Sequence, residues 1–298
     1  MLIPCYPDFV PISLDIKDEM HEKLSIAPDG VSEFTFANLY LFRSHYQYRV
    51  SRSPDGALIV SGIQPGHGPF FLTPCAFPGR EVLTGLFDTH NYWKNIPESV
   101  LKAEWENLEQ WGVEITEDRN NFDYLYLRTD LAELEGKKYH KKRNLVNQFL
   151  SSYDHQEWPL TPDLIPEALD VLDRWRADKG SDGDYDAARE ALDLFRPLGL
   201  AGQLYFIEGK PAGWCLGESL AQGKIFAIHF EKAVGEYKGI YQYMNQAFAA
   251  SLPDYYTHIN REQDLGDDGL RQAKMTYRPS GFVKKYVGSI LGNFKGYF

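Results

Sequence analysis

KIFAIHFEKAVGEYKGIYQYMNQAFAASL, residues 224–252, reads as a strand, a short loop and a helix. Residues 224–233 have the β-branched and aromatic content of a strand, Val234–Tyr237 form the loop, and the helix starts near Lys238-Gly239. A loop that feeds a helix N-terminus presents free backbone N–H groups and the positive end of the helix dipole, which suits an anionic group. Lys238 adds a charge there and Gly239 permits close approach, although a plain strand–loop–helix connection has the same appearance. Upstream, QLYFIEG (203–209), a Lys210-Pro211 turn and AGWCLGE (212–218) supply two further strands, preceded by a helix over Asp163–Lys179 and an acidic turn, GSDGDYD.

Downstream lies the most distinctive segment, INREQDLGDDGLRQAKMTYRPSGFVKKY, residues 259–286. Asn260, Glu262 and Asp264 alternate at a strand end and are expected to project the same way. Asp267 or Asp268 can cap the next helix, on which Arg271, Lys274 and Met275 lie within one turn. The helix ends at Tyr277, before Pro279, and Ser280-Gly281 turns the chain into strands near Phe282–Val287 and Asn293–Phe298. Carboxylates beside a phenol and two cations offer a general base, a general acid and charge anchors. A buried ion-pair network tying helix to strand has the same composition.

The first half has the same element types. YQYRVSR and ALIVSGI flank a Ser-Pro-Asp-Gly turn as a hairpin, helical patterns run over Arg80–His90 and Glu98–Trp111, and VEIT and FDYLYLR are strands. The state of EFTFANLYLFR is open. Asp130–Tyr153 reads as one long basic helix joining the halves, so the expected division is 1–130 and 131–298. The order of elements hints at a duplication.

Composition narrows the classes. The 298 residues carry 31 Lys+Arg against 42 Asp+Glu, a formal charge of −11, with 43% apolar residues, as in an ordinary globular protein of about two domains. The acidic balance argues against a general nucleic-acid coat. The lone strong basic block is KKYHKKR, residues 137–143, either a solvated helix face or a phosphate contact. No stretch has the length of a membrane helix, and MLIPCYPDFVP lacks the basic and apolar regions of a signal peptide, so a cytoplasmic location is expected. Cys5, Cys75 and Cys215 are far apart, the eight His are scattered, and the Asp182/Asp184/Asp186 loop lacks the glycine and glutamate of a calcium loop, so no metal is expected. There is no HExxH, no P-loop and no complete GxSxG; Gly217-Glu218-Ser219-Leu220-Ala221 misses the last by one glycine.

Taken together, hairpin, central strand, loop–helix, strand, helix and a final Y-x-x-x-GF resemble a GNAT acyltransferase domain. SEFTFANLYLFR (32–43), KKYHKKRNLVNQF (137–149), HFEKA…YKGIYQYMNQAF and INREQDLGDDGLRQAKMTYRPSGF resemble soluble relatives of the phosphatidylglycerol lysyltransferase C-terminal domain. That resemblance implies two tandem GNAT-like domains, an α+β or α/β fold of mixed sheets flanked by helices, shared with the Fem transferases. It also implies transfer of an aminoacyl group from charged tRNA to a lipid or peptide acceptor, and the expectation here is an acyl- or aminoacyltransferase using charged tRNA or a thioester such as acyl-CoA on a small-molecule or peptide amine or hydroxyl. Glu236 in the helix-start loop would repel a diphosphate, which weighs against acetyl-CoA.

In that reading Glu262 or Asp264 is the base, Tyr277 the acid, and the edge of strand Phe226–Lys232 supplies backbone donors. Lys238, Gly239, Ile240, Arg271 and Lys274 hold the donor's phosphates. Asn260 and Glu231 contact substrate, and Lys141 and Arg143 make outer contacts to tRNA. The alternatives are a non-catalytic tandem binding protein and a small-molecule N-acetyltransferase.

Overall fold

The structure, a computed structural model, describes residues 2–290. The first half supplies β1 (Val10–Pro11), β2 (Arg49–Arg52), β3 (Leu58–Gln64), β4 (Gly68–Leu72), β5 (Tyr92–Pro97) and β6 (Val113–Glu117). Then follow β7 (Asp123–Leu127), β8 (His155–Pro159), β9 (Ala201–Ile207), β10 (Lys210–Leu220), β11 (Ile225–Ala233), β12 (His258–Asn260), β13 (Gly281–Val283) and β14 (Lys285–Ile290). They form two seven-stranded sheets, β1-β2-β3-β4-β5-β14-β6 and, read from its far edge, β8-β9-β10-β11-β12-β7-β13. Each sheet has one parallel pair, β4 with β5 and β11 with β12, and every other pairing is antiparallel. The two sheets therefore match position for position.

One strand of each sheet is exchanged. β7 precedes residue 130 yet sits between β12 and β13, and β14 returns from the end of the chain to sit between β5 and β6. Sheet membership thus crosses the 130/131 division in both directions. The exchanged strands are tied at their first residues: Lys285 Nζ donates to Asp123 Oδ1 at 2.7 Å, with both side chains fully buried. Asp123 also accepts from the Ser32 amide and hydroxyl, each at 2.9 Å, and from Asn260 Nδ2 at 3.1 Å, while Glu33 takes a second hydrogen of Lys285. A buried ion pair with its remaining hydrogen-bonding capacity met in this way is tolerated by the interior.

Helices cover both sheets. They are α1 (Lys17–Leu24), α2 (Phe36–Leu41), α3 (Arg43–Tyr46), α4 (Arg80–Phe87) and α5 (Glu98–Gln110), then α6 (Arg128–Glu133), α7 (His140–Ser152), α8 (Ile165–Lys179), α9 (Tyr185–Asp193), α10 (Phe195–Leu198), α11 (Ile240–Ser251) and α12 (Asp268–Met275). The expected mixed sheets flanked by helices are borne out. EFTFANLYLFR is helical, opened by Thr35, whose hydroxyl accepts from the Asn38 amide at 3.0 Å. The expected single helix over 130–153 is instead two, because Leu134 and Gly136 take positive φ (50° and 78°) and break the chain between α6 and α7. The expected strand over Asn293–Phe298 lies outside the described residues.

Three cores result. One packs the first sheet against α4 and α5 through Phe71, Leu83 and Trp93, and another packs the second sheet against α7 and α11 through Phe149, Tyr205 and Met244. The largest joins the halves: Phe36, Val60 and Tyr92 share it with Val171, Ala188, Trp214 and Phe230. Burial at this seam is the main apolar driving force holding one half to the other.

Candidate functional site

β11 and β12 pair through only Ile225↔His258, Phe226↔Ile259 and Ala227↔Asn260, after which β12 ends and β11 runs on to Ala233. Within that free length β11 carries a bulge. Against β10 the register steps from Gly217↔Ile228 to Leu216↔Phe230, so His229 is the extra residue. The crowding shows at Gly217, where a Cβ would come 1.8 Å from the Ala227 carbonyl oxygen. The bulge also reverses the strand's phase: Phe226 and Ile228 pack toward α11, whereas Phe230 enters the seam core.

His229 is held between two carboxylates. Its Nε2 lies 3.0 Å from Glu218 Oε1 and its Nδ1 lies 2.7 Å from Glu262 Oε1. Carboxylates accept, so both ring nitrogens donate and the ring is an imidazolium. Burial works against that charge, but the hydrogen bonds that His229 donates to Glu218 and Glu262 outweigh it and hold the pKa at about 10. The raised value means that this cluster's contribution is complete below the unfolded histidine pKa, roughly 6.5, and fades as pH climbs toward the folded one. The wild-type melting temperature should therefore fall relative to that of His229→Asn between about pH 6.5 and about 10. A constant difference across that range, read by thermal denaturation, would contradict the charged assignment.

Of the three side chains, those of His229 and Glu218 are 2% and 8% exposed while Glu262 is 21% exposed, so Glu262 is the member that meets solvent. Glu262 also has φ +55°, rare for a residue with a side chain. Its loop is pinned by Lys274, whose Nζ donates to the carbonyls of Arg261 (2.6 Å), Glu262 (3.1 Å) and Gln263. Burial and the neighbouring Arg261 charge bring Lys274 down to about 8. Arg261 bonds Glu231 at 2.6 Å and lies 5.3 Å from the Tyr277 ring, over which Lys142 sits at 4.1 Å. Burial pushes the Tyr277 phenol up to about 12, so it is protonated and can donate at neutral pH.

The other expected site residues divide. Asp264 is fully buried and accepts from Arg271 Nε and Nη2 (2.9 and 2.8 Å), the Tyr124 hydroxyl (2.6 Å), Arg119 (3.2 Å) and the Gly266 amide (2.9 Å). Burial opposes its charge, but the bonds from Arg271 and Tyr124 prevail and hold the carboxyl far below the usual range, which makes it a poor base. Arg271 is spent on that carboxylate and on Asn120. Asn260 is spent on Gly30, Asp123 and the Glu262 amide. The expected common projection of Asn260, Glu262 and Asp264 fails because the positive φ of Glu262 ends the strand's alternation.

At the start of α11, a Cβ on Gly239 would sit 2.8 Å from the Leu145 carbonyl oxygen, so α7 packs directly against this turn. Ile240 is buried in the core. Lys238 is exposed. Lys141, also exposed, stands one turn before Leu145 and so flanks the same crossing. Arg143 donates to the carbonyls of Leu134 and Gly136 (2.5 and 3.2 Å), closing the end of α6.

His229, Glu218 and Arg261 are the members that sequence reasoning missed, whereas Lys142 was visible as part of the basic run 137–143. His229 looked like one of eight scattered histidines, and Glu218 belonged to a broken nucleophile motif. The readable signal was the run of charged residues within HFEKA on a strand that is otherwise core. Lys232 in that run is 7% exposed, bonds Asp184 at 2.6 Å and lies over the Trp175 ring, so part of the acidic turn is an ion-pair partner.

Residues 25–288 match the family described as phosphatidylglycerol lysyltransferase, C-terminal. A conserved protein of unknown function from Bacteroides thetaiotaomicron VPI-5482 is 31% identical, with a TM-score of 0.86 over 97% of this chain and 100% of that one. L-PGS from Bacillus licheniformis has the same fold at 16% identity, with a TM-score of 0.62 over 98% and 95% of the two chains. FemX shares it at 10% identity and a TM-score of 0.59 over 95% and 97%. The match to a curated relative, an uncharacterized protein of Mycoplasmoides gallisepticum, is 24% identical and spans 63% of that protein's length. Among the described residues no helix is long and apolar enough to cross a membrane.

Proposed function

The chain belongs to the phosphatidylglycerol lysyltransferase C-terminal family, and from that membership we propose that it moves an aminoacyl group from charged tRNA to an amine or hydroxyl acceptor where β11 and β12 diverge. The observation that carries this reading is the Glu218–His229–Glu262 cluster, a solvent-reaching carboxylate oriented by a buried imidazolium that a second carboxylate holds in place. A base fixed by a third group is the arrangement nucleophile activation needs.

Glu262 takes the proton of the attacking N–H or O–H as the acceptor bonds to the acyl carbon. Backbone N–H groups at the β11 bulge face the developing oxyanion. The bond from the acyl carbon to the donor's ribose oxygen then breaks, and Tyr277 returns a proton to that oxygen. Glu262, now protonated, passes its proton to solvent, and Tyr277 is restored in turn. Lys142, over the Tyr277 ring, and Lys141 and Lys238, at the crossing of α7 and α11, supply positive charge in an otherwise acidic protein. Asp264, Arg271 and Lys274 hold the loop on which Glu262 stands.

The close packing of α7 on Gly239 is unfavourable to a diphosphate at the start of α11, although Glu236 is paired there with Arg174 at 3.0 Å and its repulsion is offset. This favours tRNA over acetyl-CoA as donor. Equilibrium binding of the purified protein to bulk charged tRNA and to acetyl-CoA, at one stated salt concentration, tests the choice. Saturable tRNA binding is expected to weaken severalfold in Lys141→Glu and in Lys238→Glu, because each reverses a charge facing phosphates. Binding of acetyl-CoA alone would move the donor to a thioester, and binding of neither would favour a non-catalytic protein.

A further inference from the structure

On β10, Trp214 and Leu216 enter the core that joins the halves, and Glu218 follows them on the same alternation. His229, bonded to Glu218, therefore stands on that face of the second sheet, and so does Glu262, which holds its other nitrogen. Beyond the bulge Phe230 enters the same core, and Lys232, two residues on, pairs with Trp214 across the strands. Lys232 and Glu262 thus share one face. Tyr277 lies on the other, in the core under α7 and α11. An acceptor that gives its proton to Glu262 arrives from the joining face, whereas the leaving group meets Tyr277 on the opposite one.

On the joining face Lys232 is packed against Trp175 of α8, which borders the same core. Its Nζ lies 3.9 Å from the centre of the Trp175 ring, and the Nζ of exposed Lys179 lies 4.8 Å from it. Two ammonium groups share one indole, and each raises the cost of the other. Asp184 bonds Lys232 through both oxygens, at 2.6 and 2.8 Å, whereas Lys179 has no ion pair among the described residues. Asp184 comes from the acidic turn, where Gly180 and Gly183 take φ +68° and +53°, and its side chain is 33% exposed. It also stands at the N-cap position of α9, yet its carboxylate makes no capping bond. An aspartate at that position ordinarily accepts from the first amides of its helix. This one is turned away to neutralise Lys232.

We infer that Lys232 and Lys179, against Trp175, form the anion-binding site of the acceptor, and that Asp184 occupies it as the chain's own stand-in for that anion. The acceptor then carries a phosphate or carboxylate besides its attacking amine or hydroxyl. Its anion displaces Asp184 from Lys232, and the freed carboxylate turns back to the amides that open α9. That the ligand is the acceptor rests on the transfer proposed at Glu262; that an anion binds here does not.

Calorimetric titration of the full chain with inorganic phosphate, and separately with acetate, at constant ionic strength tests the site. Asp184→Asn keeps the shape of the side chain and removes the competing charge, so it should bind at least one probe about tenfold more tightly than the wild type. The same probe should raise the melting temperature of Asp184→Asn, which has lost the counter-ion of Lys232, by more than that of the wild type. Adding Lys232→Met to Asp184→Asn should abolish both effects. Adding Lys179→Met instead, at an exposed position where folding is not at stake, should weaken binding severalfold. Phosphate alone would identify a phosphate-bearing ligand, and acetate alone a carboxylate-bearing one. Failure of both probes to saturate Asp184→Asn below about 10 mM would overturn the site, as would binding that survives both lysine substitutions. Anion binding without any transfer of labelled amino acid from tRNA would leave the site standing and remove its assignment to an acceptor.

Discussion

Glu262→Gln is expected to lower acyl-transfer turnover by about 10²–10⁴-fold, the usual worth of a positioned general base. Gln retains the shape and can still accept the His229 hydrogen bond at the present 2.7 Å, so the loop and the bulge should survive. What disappears is the negative charge that receives the acceptor's proton. A matched thermal scan separates loss of chemistry from loss of fold. Turnover unchanged in a folded Glu262→Gln variant would remove Glu262 from the mechanism.

Asp123→Ala should cost about 3–5 kcal/mol of unfolding free energy, because it leaves the fully buried Lys285 short of its partner and strips acceptors from Ser32 and Asn260. The loss falls at the point where the exchanged strands β7 and β14 begin, so both sheets should loosen together. Replacing all three members, as in Asp123→Leu with Lys285→Met and Glu33→Gln, should recover much of the loss, since no unpaired charge then remains. Denaturant titration reads both variants. A cost below about 1 kcal/mol for Asp123→Ala would show that the pair is not what fastens the exchange.

Much of the fold was legible because its signals are local. The helical period over Glu98–Trp111 and the strand–loop–helix over 224–252 correspond to α5 and to β11 with α11. β5 was not legible: YWKNIP is buried at every position, so it shows no alternation, and two helical patterns overshadow it. β4 lies inside a stretch whose Pro and Gly read as loop. The strand exchange is long-range, and nothing in the local pattern of FDYLYLR or VKKYVG says which sheet will take it.

The site was legible in outline only. Glu262, Tyr277 and Lys274 were singled out from their neighbourhood in sequence, and Arg261 connects them in space. The bulge that aims His229 adds a single residue to one strand, and no residue type announces it. Asp264 illustrates the opposite difficulty. Its sequence context suits a base as well as it suits an anchor, and only the five hydrogen bonds converging on its carboxylate decide for the anchor.

The most direct test is the rate at which purified protein releases labelled amino acid from bulk charged tRNA into a new covalent product, with a small-molecule extract of the host cell as acceptor source. The aminoacyl-transfer reading predicts protein-dependent product formation that Glu262→Gln suppresses while tRNA binding persists. Absence of product with the wild-type protein despite saturating tRNA, or equal product from Glu262→Gln, would contradict it.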